Sequence, residues 1–463
     1  MNHPAVIPIW PERPPFPESG VSTPPPTRSA IPTIALTTAT CIVVANMVGT
    51  GVFTSLGFQL MDLPAPFVIL CLWALGGIAA LCGALSYAEL AAALPRSGGE
   101  YHFLSRVFHP ALGFLSGWTS ATVGFAAPIA LSAMAFGTYA QGVFPGVSPL
   151  ALSLALVWCA SAVHFAGQKG GTVFQNGFTL LSVALIAVFI LAGFHAMPTP
   201  GVSFMPVRHD LPLMTTGAFA TSLVFVMYSY LGWNASTYIV NEIRDPQRNV
   251  PRSVFLGTLI VMLLYVALNA AFLWSTPRGA MTGKVDVGLI AGRQIFGAAG
   301  GRVVGGLICL GLVSSVSSMV WTGPRVTVAM GEDLPGLALL ARKSPGGTPR
   351  IAIALQALIA TVLLLTGTFK GVLVYIGLAL TLFSALTVLG VIVLRIREPA
   401  LPRPYRTWGY PFTPFFFLIV SGIMGFYAAR TSARESLIGL ATILAGLIVY
   451  FLSGGAARRA ARS

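Results

Sequence analysis

The sequence predicts an all-α integral membrane protein with twelve membrane-crossing helices, two of them interrupted by glycine in mid-run. Three observations predict it. Of 463 residues, 55% are hydrophobic and only 9% charged, with mean hydropathy +0.81; soluble domains carry about 25% charged residues. Apolar runs of the ~20 residues that a helix needs to cross a bilayer recur from Ile31 to Tyr450. Val48-Gly49-Thr50-Gly51 and Tyr230-Leu231-Gly232-Trp233 each interrupt such a run near its middle.

Residues 1–30 come first. Prolines fill them, and no apolar core follows a charged start, so they read as a disordered cytoplasmic tail rather than a signal peptide. The expected spans are 34–60, 65–92, 111–142, 149–167, 172–195, 213–241, 253–275, 301–329, 349–368, 371–395, 412–430 and 435–454. The run around Lys370 reads as two spans rather than one, because Gly367, Lys370 and Gly371 suit a tight turn. Residues 455–463 form a short basic tail, expected in the cytoplasm.

Orientation follows the cations. With both termini in the cytoplasm, 19 of the 27 Lys and Arg residues fall on the cytoplasmic side and 8 on the other. That asymmetry is the positive-inside pattern, and it explains the net charge of +14 without a nucleic-acid partner. The expected location is a cell membrane, plasma or inner, with the lipid bilayer as surroundings. Cys41, Cys71, Cys82, Cys159 and Cys309 all lie inside apolar spans, read as small core residues rather than disulfides or metal ligands. No cysteine sits in an outer loop to join a second subunit covalently, so no obligate partner is expected.

The central parts of the spans hold no Asp, Glu, Lys or Arg. Intramembrane charges mark proton relays and ion paths; their absence argues against a midplane carboxylate and against a fixed counter-charge for a charged side chain. The two interruptions supply polarity another way. A broken helix frees N–H groups on one half and C=O groups on the other, and lipid offers neither a water partner. Gly-interrupted spans at matching places in two halves of a chain point to a transporter binding site. An anionic group suits the amides of Thr50, Gly51 and Val52, with the Thr50 hydroxyl as a further donor. An ammonium suits carbonyls near Asn46, Met47 and Tyr228. A zwitterionic amino acid needs both. Gly49 and Gly51 also suit close helix packing; the second interruption, five spans later, favours the cavity reading. Tyr228, Tyr230 and Trp233 cluster at that second site, as core aromatics or as a gate over a substrate, with Ser229, Leu231 and Gly232 shaping the pocket.

Four segments carry a family resemblance. They are Asn46-Met47-Val48-Gly49-Thr50-Gly51-Val52-Phe53, the stretch GALSYAELAAALPRSGGEY from Gly83 to Tyr101, YSYLGWNASTYIVNEIRDPQRNVPRSV from Tyr228 to Val254, and MGEDLPGLALLARKSPGGTP from Met330 to Pro349. In this order and spacing the chain resembles the amino acid–polyamine–organocation superfamily, and most of all its L-type amino acid transporter branch, from about Ile31 to Tyr450. The resemblance implies a leucine-transporter-type fold. Two inverted five-helix repeats, 31–195 and 213–395, would be followed by two further helices in 412–454, with helices 1 and 6 unwound at mid-membrane. It also implies alternating access by a secondary transporter of amino acids, and it matches Thr50, Gly51 and Val52 to the substrate-carboxylate site. Tyr228 falls at the family's aromatic gate and Trp233 at its helix 6 tryptophan. Leu231 departs from the family's usual small residue and would narrow the pocket.

Ser182 stands where relatives often carry a lysine whose charge takes the place of sodium. With Ser314, Ser315, Ser317 and Ser318 it offers hydroxyls to a sodium ion, or simply small packing residues. No organic cofactor and no other metal is expected. The turn from Ser97 to Tyr101 and the loop from Glu242 to Arg252 read as charge at the cytoplasmic surface, forming either an ion-pair gate or a loop anchor. Neutral L-amino acids are the expected substrates, by exchange or ion-coupled symport. A cationic amino acid or polyamine permease would want an acidic residue in the pocket, and a sensor on the same fold would bind without flux. An enzyme would need a nucleophile or metal cluster, and none is evident.

Overall fold

The structure, a computed structural model, describes residues 34–454 except 97, 144–145, 167–170 and 346. The expected tails 1–30 and 455–463, and Ser97 of the expected gate, lie outside the described residues. Among those described there is no strand, only an isolated bridge between Ile34 and Ile243. In chain order the helices are α1 (Leu36–Met47), α2 (Thr50–Asp62), α3 (Pro66–Ala93), α4 (Gly99–Val107), α5 (Pro110–Thr119), α6 (Ala126–Val143), α7 (Pro149–Ala166) and α8 (Gly171–His195). Then come α9 (Asp210–Met214), α10 (Gly217–Ser229), α11 (Pro246–Ser275), α12 (Arg278–Met281), α13 (Val287–Asp333), α14 (Arg350–Thr366), α15 (Phe369–Arg397), α16 (Phe412–Thr431) and α17 (Ala433–Leu452).

Local chemistry sets the boundaries. Pro66, Pro110 and Pro246 each stand in the first turn of a helix, where the missing N–H costs nothing. Thr216 and Thr368 cap α10 and α15 by accepting from the Phe219 and Gly371 amides. The turn expected near Lys370 is built by Gly367 and Thr368, and Lys370 already lies inside α15. Glycine 297, at φ +75°, breaks the long α13, so a helical segment precedes the expected span 301–329.

Among the described residues nine helices, α1 with α2 and α5 with α6 each counted as one, are long and apolar enough to cross a membrane. Three shorter apolar helices, Leu180–His195, Gly217–Ser229 and Arg350–Thr366, fall where the fifth, sixth and ninth spans were expected. The sixth run, expected over 213–241, is helical only to Ser229; beyond it come turns and two short 3-10 segments, Ala235–Tyr238 and Val240–Glu242. The cysteine expectation needs correcting. Cys82 and Cys309 are buried, whereas Cys41 and Cys159 are exposed on outer helix faces, because an all-round apolar helix does not reveal which side faces protein.

Two groups of helices frame the site. In one, α1, α2, α3, α10 and α11 pack on each other; in the other, α6, α7, α13 and α14 do, and α8 lies between α11 of the first and α13 of the second. A continuous core of Trp73, Tyr230, Tyr265 and Phe272 runs through the first group, with Trp73 and Tyr265 rings 5.7 Å apart and near perpendicular. A smaller core of Ile129, Val157, Val316 and Ile353 holds the second.

Candidate functional site

Between α1 and α2 the backbone leaves the helix at Val48 and Gly49. The first amides of α2, those of Thr50, Gly51 and Val52, have no intrahelical acceptor. At the end of α1, the Met47 carbonyl accepts from the Tyr265 hydroxyl at 2.6 Å. The second interruption meets the first. Gly232 has φ +105°, and a Cβ there would sit 2.6 Å from the Asn46 carbonyl carbon and oxygen. Only glycine allows both that conformation and that approach. Gly51 packs equally hard: a Cβ would lie 2.5 Å from the Ser229 hydroxyl. The close-packing reading of Gly51 and the cavity reading therefore hold together.

A cavity of about 100 Å³ lies against both interruptions. Asn46, Gly49, Thr50, Gly51, Tyr228, Ser229, Leu231, Gly232 and Trp233 line it. Thr50 Oγ1 and the Tyr228 hydroxyl share a hydrogen bond of 3.0 Å, and Ser55 Oγ joins Ser229 Oγ at 3.0 Å. Trp233 packs edge-on to Tyr87, ring centres 4.5 Å apart. Met47 and Val52 lie outside the lining, in the core. Val48 faces a separate small cleft. Tyr230 turns away, donating to the Trp73 carbonyl at 3.1 Å and lodging between Trp73 and Tyr265.

The serines divide. Ser315 lines the main cavity, and its Oγ is the nearest atom to a Cβ built on Gly49. Ser182 lines the small cleft with Val48 and Gly49. Ser314 and Ser318 are buried. Ser317 instead meets His164 Nε2 at 2.8 Å.

The rest of the lining was not anticipated. The run from Ser120 to Phe125 is a π-helix joining α5 to α6, and Ser120, Gly124 and Phe125 face the cavity. Such widened turns recur at functional sites. Ser132 also lines it, 1% exposed, with no hydrogen-bond partner for its hydroxyl among the described residues. Leu380 and Ser384 enter from α15.

Glu100 is the main correction. Expected at the surface, it is buried and lines the cavity. A pocket without an acidic residue is therefore not what the fold builds. Positive φ at Gly98 and Gly99 swings the start of α4 inward, and a one-dimensional charge pattern carries no trace of that. Its Oε1 accepts from the Tyr87 hydroxyl, from Ser384 Oγ at 3.2 Å and from Asn234 Nδ2 at 3.3 Å. Burial pushes this carboxyl above its usual value, against the pull of the Tyr87 and Ser384 donors. Burial also brings nearby His102 down to about 4, aided by Arg96 and Arg106.

At the same end, Glu242 pairs with Arg325 at 3.3 Å and the Tyr101 hydroxyl donates to Asp333. These contacts join the segment after α10, and α4, to α13.

The family pattern described as amino acid permease matches residues 34–449. The chain belongs to the amino acid permease family. The permease is 28% identical over 429 residues to a b(0,+)-type amino acid transporter 1 of Mus musculus, covering 90% of this chain and 87% of that one. It is 26% identical over 439 residues to an Asc-type amino acid transporter 1 of the same species, covering 90% and 80%. It is 28% identical over 435 residues to a large neutral amino acids transporter small subunit 2 of Rattus norvegicus, again covering 90% and 80%. These relatives are transporters rather than enzymes, and the permease is, like them, a multi-pass membrane protein of the amino acid–polyamine–organocation superfamily.

Proposed function

We propose that the permease moves neutral L-amino acids across a cell membrane by alternating access, as an exchanger or an ion-coupled symporter. One observation carries the reading: a single cavity touches the amino end of α2 and the turn after α10, bringing the first amides of α2 and the backbone at Asn46 to one place, with Glu100 as the charged residue of its lining. The substrate carboxylate takes the Thr50 and Gly51 amides. Its ammonium takes carbonyls near Asn46. Twelve spans, two inverted repeats over 31–195 and 213–395, both termini in the cytoplasm and helices 1 and 6 unwound at mid-membrane complete the reading. In it, α1, α2, α3, α10 and α11 rock against the second helix group. Ser182 and Ser315, on either side of Val48 and Gly49, are the hydroxyls for a sodium ion if one is coupled.

The third relative is by its own name a small subunit, which weighs against a chain that always works alone. The missing outer-loop cysteine speaks only against a disulfide-linked partner.

Uptake of labelled neutral amino acids into proteoliposomes of the purified chain tests all of this. It is run with and without unlabelled amino acid inside, in sodium and sodium-free buffer. Uptake that needs preload means exchange and leaves the serines as packing residues. Uptake without preload that needs sodium assigns them to the ion. Saturable binding with no flux in any condition, including after co-expression with a membrane partner, sinks the transport reading in favour of a sensor.

A further inference from the structure

We propose that Glu100 is a second charged subsite of the cavity, an anionic seat for a mobile monovalent cation: a proton, or the ammonium or guanidinium of a substrate side chain. The proposal rests on the transport reading of the cavity and deepens it.

The fold buries two glutamates and treats them differently. Glu89, 2% exposed, is neutralised from within. Arg395 grips it through two bonds of 2.8 and 2.7 Å, Arg403 stands 3.5 Å away, and the Thr407 amide donates at 2.7 Å. Glu100, 4% exposed, has only neutral donors among the described residues, all on one oxygen. The groups facing it are Tyr87 from α3, Asn234 and Tyr238 from the turn after α10, and Ser384 from α15. Of these only the two tyrosines titrate, and neither supplies a cation. Three arginines of α4 and α15, the helices that bring Glu100 and Ser384 together, are engaged elsewhere: Arg106 with Glu398, Arg397 with the Val107 carbonyl, Arg395 with Glu89. Among the described residues no Lys or Arg forms an ion pair with Glu100.

A buried carboxylate without a cation is costly, and neutral donors offset that only in part. Where the missing charge comes from is set by access. Glu100 opens onto the same cavity as Thr50 and Gly51, whereas Glu89 does not. Ser132 also lines the cavity, and its hydroxyl has no hydrogen-bond partner among the described residues. A neutral amino acid leaves Glu100 to take a proton from water on one side, becoming a neutral carboxyl, and to return it to water on the other. A cationic side chain replaces that proton.

Wild type and Glu100→Gln in proteoliposomes, with labelled alanine, labelled arginine and an entrapped pH dye, decide it. In wild type we expect protons to move with alanine, or arginine to be taken up, or both. Proton movement that falls at least tenfold per alanine in the variant identifies the proton as occupant. An arginine-to-alanine uptake ratio that falls at least tenfold identifies the side chain. Alanine flux in wild type with neither signal, or signals that survive Glu100→Gln, overturns the proposal while leaving transport intact. If Glu100→Gln does not fold, Ser384→Ala replaces it. Loss of a donor to the ionised form moves the pH midpoint of alanine uptake up by about one unit, and an unmoved midpoint overturns the proposal. If wild type moves nothing, thermal shifts separate the two readings. Arginine stabilising wild type at tenfold lower concentration than Glu100→Gln keeps the subsite and drops transport; equal shifts, or none, drop the subsite as well.

Discussion

Thr50 concentrates two roles in one side chain. It begins α2 and its hydroxyl holds Tyr228 at 3.0 Å, so the donor proposed for a carboxylate also pins the proposed gate. Hydrogen bonds to charged groups are worth about 1.5–3 kcal/mol, roughly ten- to a hundredfold in affinity. Thr50→Val should therefore raise KM for a neutral amino acid at least tenfold and change kcat less; an unchanged KM in a well-expressed variant removes Thr50 from the carboxylate site. Glu100 gives a pH prediction. Its carboxyl is raised above the ordinary 4.5, so the folded protein favours the protonated form. That contribution is complete below 4.5 and fades as pH climbs through the raised value. The melting temperature of wild type relative to Glu100→Gln should fall as pH rises above about 4.5, and a flat difference from pH 4 to pH 8 contradicts the shift. Neither residue was equally legible. Thr50 follows from a glycine-flanked break in an apolar run, a signal written along the chain. Glu100 sits in a polar turn whose inward swing depends on Gly98 and Gly99.

At the scale of elements, the two interruptions are one structure. Gly232 lies on the Asn46 carbonyl, so the turn after α10 is seated on the end of α1. A methyl there meets backbone on a conformation that L residues avoid. Strain of this kind costs about 1–3 kcal/mol before the clash is counted. Gly232→Ala should lower the melting temperature by several degrees and abolish uptake, and a variant that melts like wild type shows the two breaks to be independent. The Glu89 cluster ties α3 to α15 and to the loop before α16. Removing one partner of a buried ion pair costs about 3–5 kcal/mol. Glu89→Gln should destabilise strongly while leaving the substrate preference of the folded fraction intact, measured by competition among amino acids. Both elements were expected as helices; which face each presents was not, because apolar residues surround them on all sides.

For the whole molecule, the arrangement of two helix groups around a cavity makes contacts between the groups the ones that set which side is open. Glu242 with Arg325 joins the segment after α10 to α13. The pair is partly exposed, at 32% and 45%, so it contributes less than about 1 kcal/mol. Arg325→Ala should leave the melting point nearly unchanged yet alter the exchange rate by up to about fivefold, a population shift of that size. A charge-swapped Glu242→Arg with Arg325→Glu pair should restore the wild-type rate, and failure to do so makes the contact an anchor rather than a gate.

The sequence by itself determined the class, the positions of the apolar helices and the two interruptions. These follow from local rules: a bilayer sets helix length, and a glycine in an apolar run needs a reason nearby. The four motifs also pointed to the family. Only the tertiary structure decided which residues share the cavity. It drew Ser120 and Ser132 from one span, Ser384 from α15 and Glu100 from α4 into one cavity lining, and turned Tyr230 and Val52 away from it. Such choices depend on how uniformly apolar helices rotate against one another, and in a membrane chain hydrophobic periodicity does not record that rotation.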